Sequence, residues 1–230
     1  MAFSLNQVVP WGRSLKEYRK MFNLTPDELQ LNILDCAAGP ASFNAQLTAQ
    51  GTRVISCDPL YEFRVEQIGE RIAHTYVQII QELRNNQEYY IWKTFSSPED
   101  LGAVRIAAMG QFLQDFPQGI SEGRYVTAQL PQLPFQTQEF ELALCSHFLF
   151  SYSEFFSQAF HLQAIAELCR VARAVRIFPL LTIAGDPSPY LTPVMESLSS
   201  QGYGLEIQPV AYEFQQGGDR MLRVQPPPQG

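Results

Sequence analysis

No stretch of this chain stays apolar for anything near the roughly 20 residues that a membrane-crossing helix requires, so no membrane span is expected. Positive charge is scarce too. The 16 Lys and Arg stand against 23 Asp and Glu, for a net charge of -7 and a pI near 5.0. That balance leaves no electrostatic footprint for DNA or RNA. The four cysteines, Cys36, Cys57, Cys145 and Cys169, form no CxxC pair, so zinc-site spacing is missing and no metal is expected. Three of them end apolar runs, which reads as reduced packing residues in a cytoplasmic protein. The opening MAFSLNQVVPWGRS has neither the charged start nor the long apolar segment of a secretory signal. No internal repeat is found, and 230 residues suit one sizeable domain or one domain with a large insertion.

What is present centres on ILDCAAGPASF, Ile33 to Phe43, followed by VISCDP. An apolar run ends in Asp35, a turn of small residues follows, a helix runs from about Ser42 to Gly51, and a second apolar run ends in Asp58. Strand, turn, helix, strand, with an acid at each carboxyl end, marks the ligand edge of an open α/β sheet. Before it, the capping-box patterns Ser14–Glu17 and Thr25–Glu28 predict two short helices.

After Asp58 the rhythm breaks. Helical spacing occupies Tyr61 to Asn86, another helix starts at Ser97-Pro98-Glu99-Asp100, and Asp115 to Gly123 reads as loop. That is more than a strand-to-strand crossover needs, so residues 62–123 read as an inserted helical cap. Further strands are expected at about 124–129, 140–146 and 174–183, with helices at 153–172 and from Thr192-Pro193 to Gln201. Two last strands, 204–214 and 220–224, flank the turn Gln216 to Asp219 and read as an antiparallel hairpin.

The turn after Asp35 is a poor phosphate cradle. It holds one glycine, Gly39, and Pro40 has no N–H to offer. A carboxylate at Asp35 repels phosphate and suits a cation, such as the sulfonium of S-adenosylmethionine. Asp58 fits a ribose diol, since one carboxylate accepts from two hydroxyls.

ILDCAAGPASF, CDP, Gln129 to Phe135 and Phe140 to His147 recur in an order and spacing that resembles the class I S-adenosylmethionine-dependent methyltransferases. The terminal hairpin is similar to that family's antiparallel last strand. The resemblance covers about Ile33 to Tyr61 and Arg124 to Val224. It implies a Rossmann-like, doubly wound, mostly parallel seven-stranded sheet with an antiparallel C-terminal hairpin strand, to which the helical cap insertion read from the long crossover is added. One domain would span 1–230, with an N-terminal helical lid at 1–31 and a disordered tail at 225–230. S-adenosylmethionine would be the cofactor, and its methyl group would pass by in-line displacement to a small-molecule acceptor. Asp35, Ala37, Ala38 and Gly39 would hold the methionine end, Asp58 the ribose with Pro59 packed beside it, and Gln129 and Leu130 the adenine. Ser146 and His147 would lie beside the reactive methyl.

The family's turn has three glycines and this one keeps the middle. Alanine at Ala37 and Ala41 is mild where φ is negative, so binding is expected to survive. His147 is the candidate base, since imidazole titrates near neutrality, or else a polar residue that orients substrate. Arg13 is a candidate partner for the cofactor carboxylate. Trp11, Tyr18, Tyr152 and Trp92 supply aromatic walls for the acceptor. Two alternatives stand beside this reading. One is a non-catalytic S-adenosylmethionine-binding or interaction protein. The other is a nicotinamide-dependent oxidoreductase, which Asp35 and the missing glycines disfavour.

Overall fold

The computed structural model describes residues 8–227. Its centre is a sheet of seven strands in the order β3-β2-β1-β4-β5-β7-β6. These are β1 Ile33–Cys36, β2 Val54–Cys57, β3 Tyr125–Val126, β4 Leu142–Ser146, β5 Val175–Phe178, β6 Gly204–Pro209 and β7 Arg220–Gln225. Neighbours from β3 through β5 are parallel, and β7 runs antiparallel to both β5 and β6. The expected architecture is present. The sequence explains it: the runs of β1, β2, β4 and β5 are buried throughout, as strands covered on both faces must be.

Helices α5 Gln158–Val171 and α6 Leu191–Ser200 cover one face through Ile165, Leu168, Val194 and Leu198. Helices α1 Leu15–Met21 and α2 Phe43–Thr48 cover the other through Tyr18, Met21, Phe43 and Leu47. The cap region contributes α3 Val65–Asn85 and α4 Pro98–Ser121, which pack together. No described helix is long and apolar enough to cross a membrane. All four cysteines are free and buried.

Several expected boundaries move. Asp115 to Gly123 is not a loop, because α4 runs on through Pro117 to Ser121. A mid-helix proline loses one hydrogen bond and crowds the preceding turn. Here Phe116 offsets that by packing among Tyr61, Phe112 and Tyr125. Both terminal nitrogens of Arg124 donate to Asp115 at 2.7 and 2.8 Å, tying the helix end to β3. The second N-terminal helix shrinks to one 3-10 turn, Glu28–Gln30, although Thr25 and Glu28 do bond reciprocally. Glu28 also pairs with Arg176 of β5, which holds the turn against the sheet. Helix α5 begins at Gln158, where the Ser157 side chain caps it, and a 3-10 turn at Phe150–Tyr152 precedes it.

The third and fifth strands are shorter than expected, and β6 stops at Pro209. Residues 210–219 therefore form a long excursion rather than a tight turn, and it meets the cap where Ile91 N–H donates to the Phe214 carbonyl at 2.7 Å. Gln225 belongs to β7, paired with Gly204, not to the tail. Residues 1–7 of the expected lid and 228–230 of the expected tail lie outside the described residues.

Candidate functional site

A cavity of about 770 Å³ opens at the carboxyl ends of β1, β2 and β4. The N-terminal segment, α3, α4 and the 210–219 excursion complete its walls. Ala37, Ala38 and Gly39 line it, as do Asp58, Pro59, Gln129 and Leu130. So do Ser146 and His147 at the end of β4, Tyr152 just beyond, and Trp11, Arg13 and Tyr18 from the N-terminal segment.

The turn after β1 uses its N–H groups internally. Ala38 N–H donates to the Cys57 carbonyl at 3.3 Å, and Ser42 N–H to the Arg13 carbonyl at 3.0 Å. Gly39 N–H donates to Asp58 Oδ2 at 2.9 Å. The Tyr61 hydroxyl donates to the Gly39 carbonyl at 2.8 Å and locks the turn from the other side. Gly39 has φ of +55°, and a Cβ there would meet open space. Ala37 also has φ of +55°. The expectation that alanine is mild here fails at this position, since an L-residue in the left-handed region is strained.

Asp58 caps the 3-10 turn Pro59–Glu62 through Leu60 N–H at 2.8 Å, so each carboxylate oxygen holds one backbone donor and retains further acceptor capacity. Burial pushes its pKa up, and the two N–H donors oppose that rise. Asp35 is placed otherwise than expected. It is fully buried beneath the cavity and does not line it. The Tyr18 hydroxyl covers it, donating at 3.1 and 3.3 Å. Burial lifts Asp35 to about 8, against the hydrogen bond from Tyr18 and with the charge of Asp58 adding to the rise.

Trp92 is a second correction. Its indole N–H donates to the Gln87 carbonyl at 2.9 Å, and its ring stands edge-on to Phe214 at 5.3 Å. It is part of the cap's own core and does not line the cavity. Tyr90, beside it in sequence, does.

His147 has φ of +51°, an uncommon conformation for a non-glycine residue and one that recurs at functional sites. Its N–H donates to the Phe178 carbonyl at 2.6 Å, and its Nδ1 shares a hydrogen bond with Ser146 Oγ at 2.9 Å. Burial, reinforced by the Arg13 and Arg105 guanidinium groups, holds its pKa well below the usual imidazole range. The ring is neutral at physiological pH and a weak proton acceptor. His161 is a structural residue, fully buried with its ring nitrogens on the Ser157 and Leu149 carbonyls.

Sequence reasoning missed Arg105 and Tyr212. Arg105 is 1% exposed, on the cap helix α4, and pairs with Glu17 of α1 at 2.5 Å. Its other terminal nitrogen lies 3.3 Å from the Tyr212 hydroxyl of the excursion. A signal was available: Arg105 interrupts the otherwise apolar face Leu101, Ala108, Met109, Phe112. No group of His, Cys, Asp and Glu suited to a metal occurs among the described residues.

No protein-family model matches the chain. A protein of Methanocaldococcus jannaschii named "Uncharacterized protein MJ0045" is 30% identical over 222 residues, which is 96% of this chain and 97% of that one. Among solved structures, the mitomycin 7-O-methyltransferase MmcR is similar with a TM-score of 0.50 and 9% identity, over 92% of this chain and 53% of the other. The magnesium protoporphyrin IX methyltransferase ChlM of Synechocystis PCC 6803, crystallised with bound S-adenosylmethionine, is similar with a TM-score of 0.46 and 14% identity. That match covers 87% of this chain and 72% of ChlM. At these identities the likeness is one of fold.

Proposed function

We propose that this chain, which belongs to the family of MJ0045 from Methanocaldococcus jannaschii and has the class I methyltransferase fold, is itself an S-adenosylmethionine-dependent methyltransferase acting on a small molecule. Support comes first from the turn after β1. Its Ala38, Gly39 and Ser42 N–H groups are engaged within the protein and Pro40 has none, so it lacks the row of free donors a pyrophosphate requires. Asp58 nevertheless stands at the cavity wall with acceptor capacity left over. An acid without a phosphate cradle suits a nucleoside cofactor without phosphate.

The residues present fit that cofactor. Gly39 leaves the turn bare on the cavity side, Asp58 would accept from the ribose hydroxyls, and Arg13, which lines the cavity and has no carboxylate partner among the described residues, would face the cofactor carboxylate. Gln129 would accept from the adenine amino group through its amide oxygen, and Leu130 would offer its N–H. When bound, S-adenosylmethionine supplies an electrophilic methyl group on a sulfonium. Ser146 and His147 would border the acceptor, and Trp11, Tyr18 and Tyr152 would exclude water from it. His147 would orient the acceptor, since burial and the two guanidinium groups favour its neutral ring and weaken it as a base. Four free, buried cysteines agree with a cytoplasmic setting.

Calorimetric titration with S-adenosylmethionine, S-adenosylhomocysteine and NAD(P) tests the reading. Heat from both sulfur ligands and none from the nicotinamides is expected. No heat from either sulfur ligand defeats it. Binding without methyl transfer across an acceptor panel would favour a non-catalytic cofactor-binding protein.

A further inference from the structure

Two arginines stand on the inner wall of the cavity, and a cofactor carboxylate would account for only one of them, Arg13. Arg13 and Arg105 both line it, and the Nε of each is buried without a hydrogen-bond partner. A buried orphan donor calls for an explanation; Arg176 and Arg223 carry one as well, and what sets Arg105 apart is its place on the cavity wall, where an anion would meet it. Among the described residues, Arg13 has no carboxylate within ion-pair distance, and Arg105 has only Glu17. The Glu17 carboxylate is itself divided among Arg105, the Tyr212 hydroxyl at 3.3 Å, and the Ser14 N–H and hydroxyl at 3.0 Å.

Charge arithmetic sharpens this. Glu17 and Asp58 offset Arg13 and Arg105, and at the exposed mouth Glu62 offsets Arg71. Buried Asp35 is largely protonated near neutrality. A cofactor with a sulfonium, an ammonium and one carboxylate is a net cation. An acceptor bearing one negative charge restores balance.

The place is defined by the sheet. Asp58 and Gln129 follow β2 and β3, whereas Phe178 ends β5, on the far side of β1 and β4. Phe178 lies 5.2 Å from the His147 ring and 5.8 Å from the Tyr212 ring, which joins Arg105 to the acceptor end. Phe148, packed on Tyr152, and Phe214, packed on Tyr90, add aromatic surface elsewhere on the cavity wall.

We propose that the acceptor is an aromatic anion, a carboxylate or a phenolate, whose charged oxygen is held by Arg105 and the Tyr212 hydroxyl. This rests on the methyltransferase reading. An acceptor that arrives as an anion has no proton to lose, which accords with the neutral His147.

The test uses the full chain, titrated first with S-adenosylhomocysteine. The saturated protein is then titrated with biphenyl carboxylate and with biphenyl carboxamide. A p-nitrophenol titration, read by absorbance, provides the phenolate arm. The carboxylate should bind at least about tenfold more tightly than the amide, or binding should shift p-nitrophenol toward its coloured phenolate. The paired variant Glu17→Gln with Arg105→Gln, which leaves no lone buried charge, should abolish the preference. Tyr212→Phe, a milder change that keeps the ring, should reduce it a few-fold. Equal binding of acid and amide with no phenolate shift overturns the proposal. So does failure of every probe to bind, or a preference that survives both variants. If the first titration gives no heat, the methyltransferase reading fails, and the acid–amide comparison on the unsaturated chain still judges the anion site.

Discussion

Asp58 serves two purposes with one carboxylate: it fastens the turn through Gly39 and Leu60, and it faces the cavity. On the proposed reading, Asp58→Ala should weaken S-adenosylhomocysteine binding by more than about tenfold, since charge-assisted bonds to the ribose would be lost. Loss of its capping role should cost about 1 kcal/mol, or a fall in Tm of roughly 2–4 °C; calorimetry and thermal unfolding read the two effects separately. Ala37 gives the opposite expectation. Its φ of +55° is strained for alanine, so Ala37→Gly should stabilise by about 0.5–1 kcal/mol after glycine's own entropy cost, measured by urea unfolding. Asp58 and Gly39 were legible because a local pattern carries them: an acid after an apolar strand, a glycine in a turn. Asp35, Trp92 and Arg105 were not, because each is positioned by a distant partner. Tyr18 covers Asp35, Phe214 claims Trp92, and Glu17 and Tyr212 hold Arg105.

Elements with a strong period were readable, and their ends were not. The apolar runs of β1, β2 and β4 and the spacing in α3 and α4 announced themselves. The end of α4 did not, because Pro117 is a local stop signal that the Phe116 contacts override. The 210–219 excursion was hidden by Gly217-Gly218, which imitates a tight turn wherever it stands. The joint between α4 and β3 is close enough to test. A Cβ on Gly119 would fall 2.3 Å from the Tyr125 ring, which is hemmed in by Tyr61, Phe112 and Phe116. Gly119→Ala gains helix propensity but overpacks this joint. The net loss should be about 1–2 kcal/mol, seen as a lower urea midpoint with an unchanged slope.

For the molecule as a whole, buried Asp35 imposes a pH dependence. Its pKa rises from 3.8 in the unfolded chain to about 8 in the fold, so the native state binds the extra proton between those values. Stability is therefore fullest below about pH 4 for this group and declines by as much as ~1.4 kcal/mol per pH unit, until the contribution is gone near pH 8. Asp35→Asn should flatten that decline, which urea midpoints at about pH 5 and pH 8 compare directly against the wild-type chain. The overall sheet was legible from the order of its strands. The cavity was legible only in part: Trp11, Arg13, Tyr18 and Tyr152 line it as expected, while Arg105 of α4 and Tyr212 of the 210–219 excursion come from segments that no site motif marks. The N-terminal segment also sets a clock. Gly12 is pressed so tightly on the turn that a Cβ would sit 1.9 Å from the Pro40 carbonyl oxygen, while Val9 N–H reaches the Tyr152 hydroxyl at 3.2 Å. We expect a ligand seated under that strap to wait on its lifting before it leaves. The observed rate of ligand exchange in stopped-flow should then level off at high ligand concentration, at the opening rate of the segment, and Gly12→Ala should raise that ceiling.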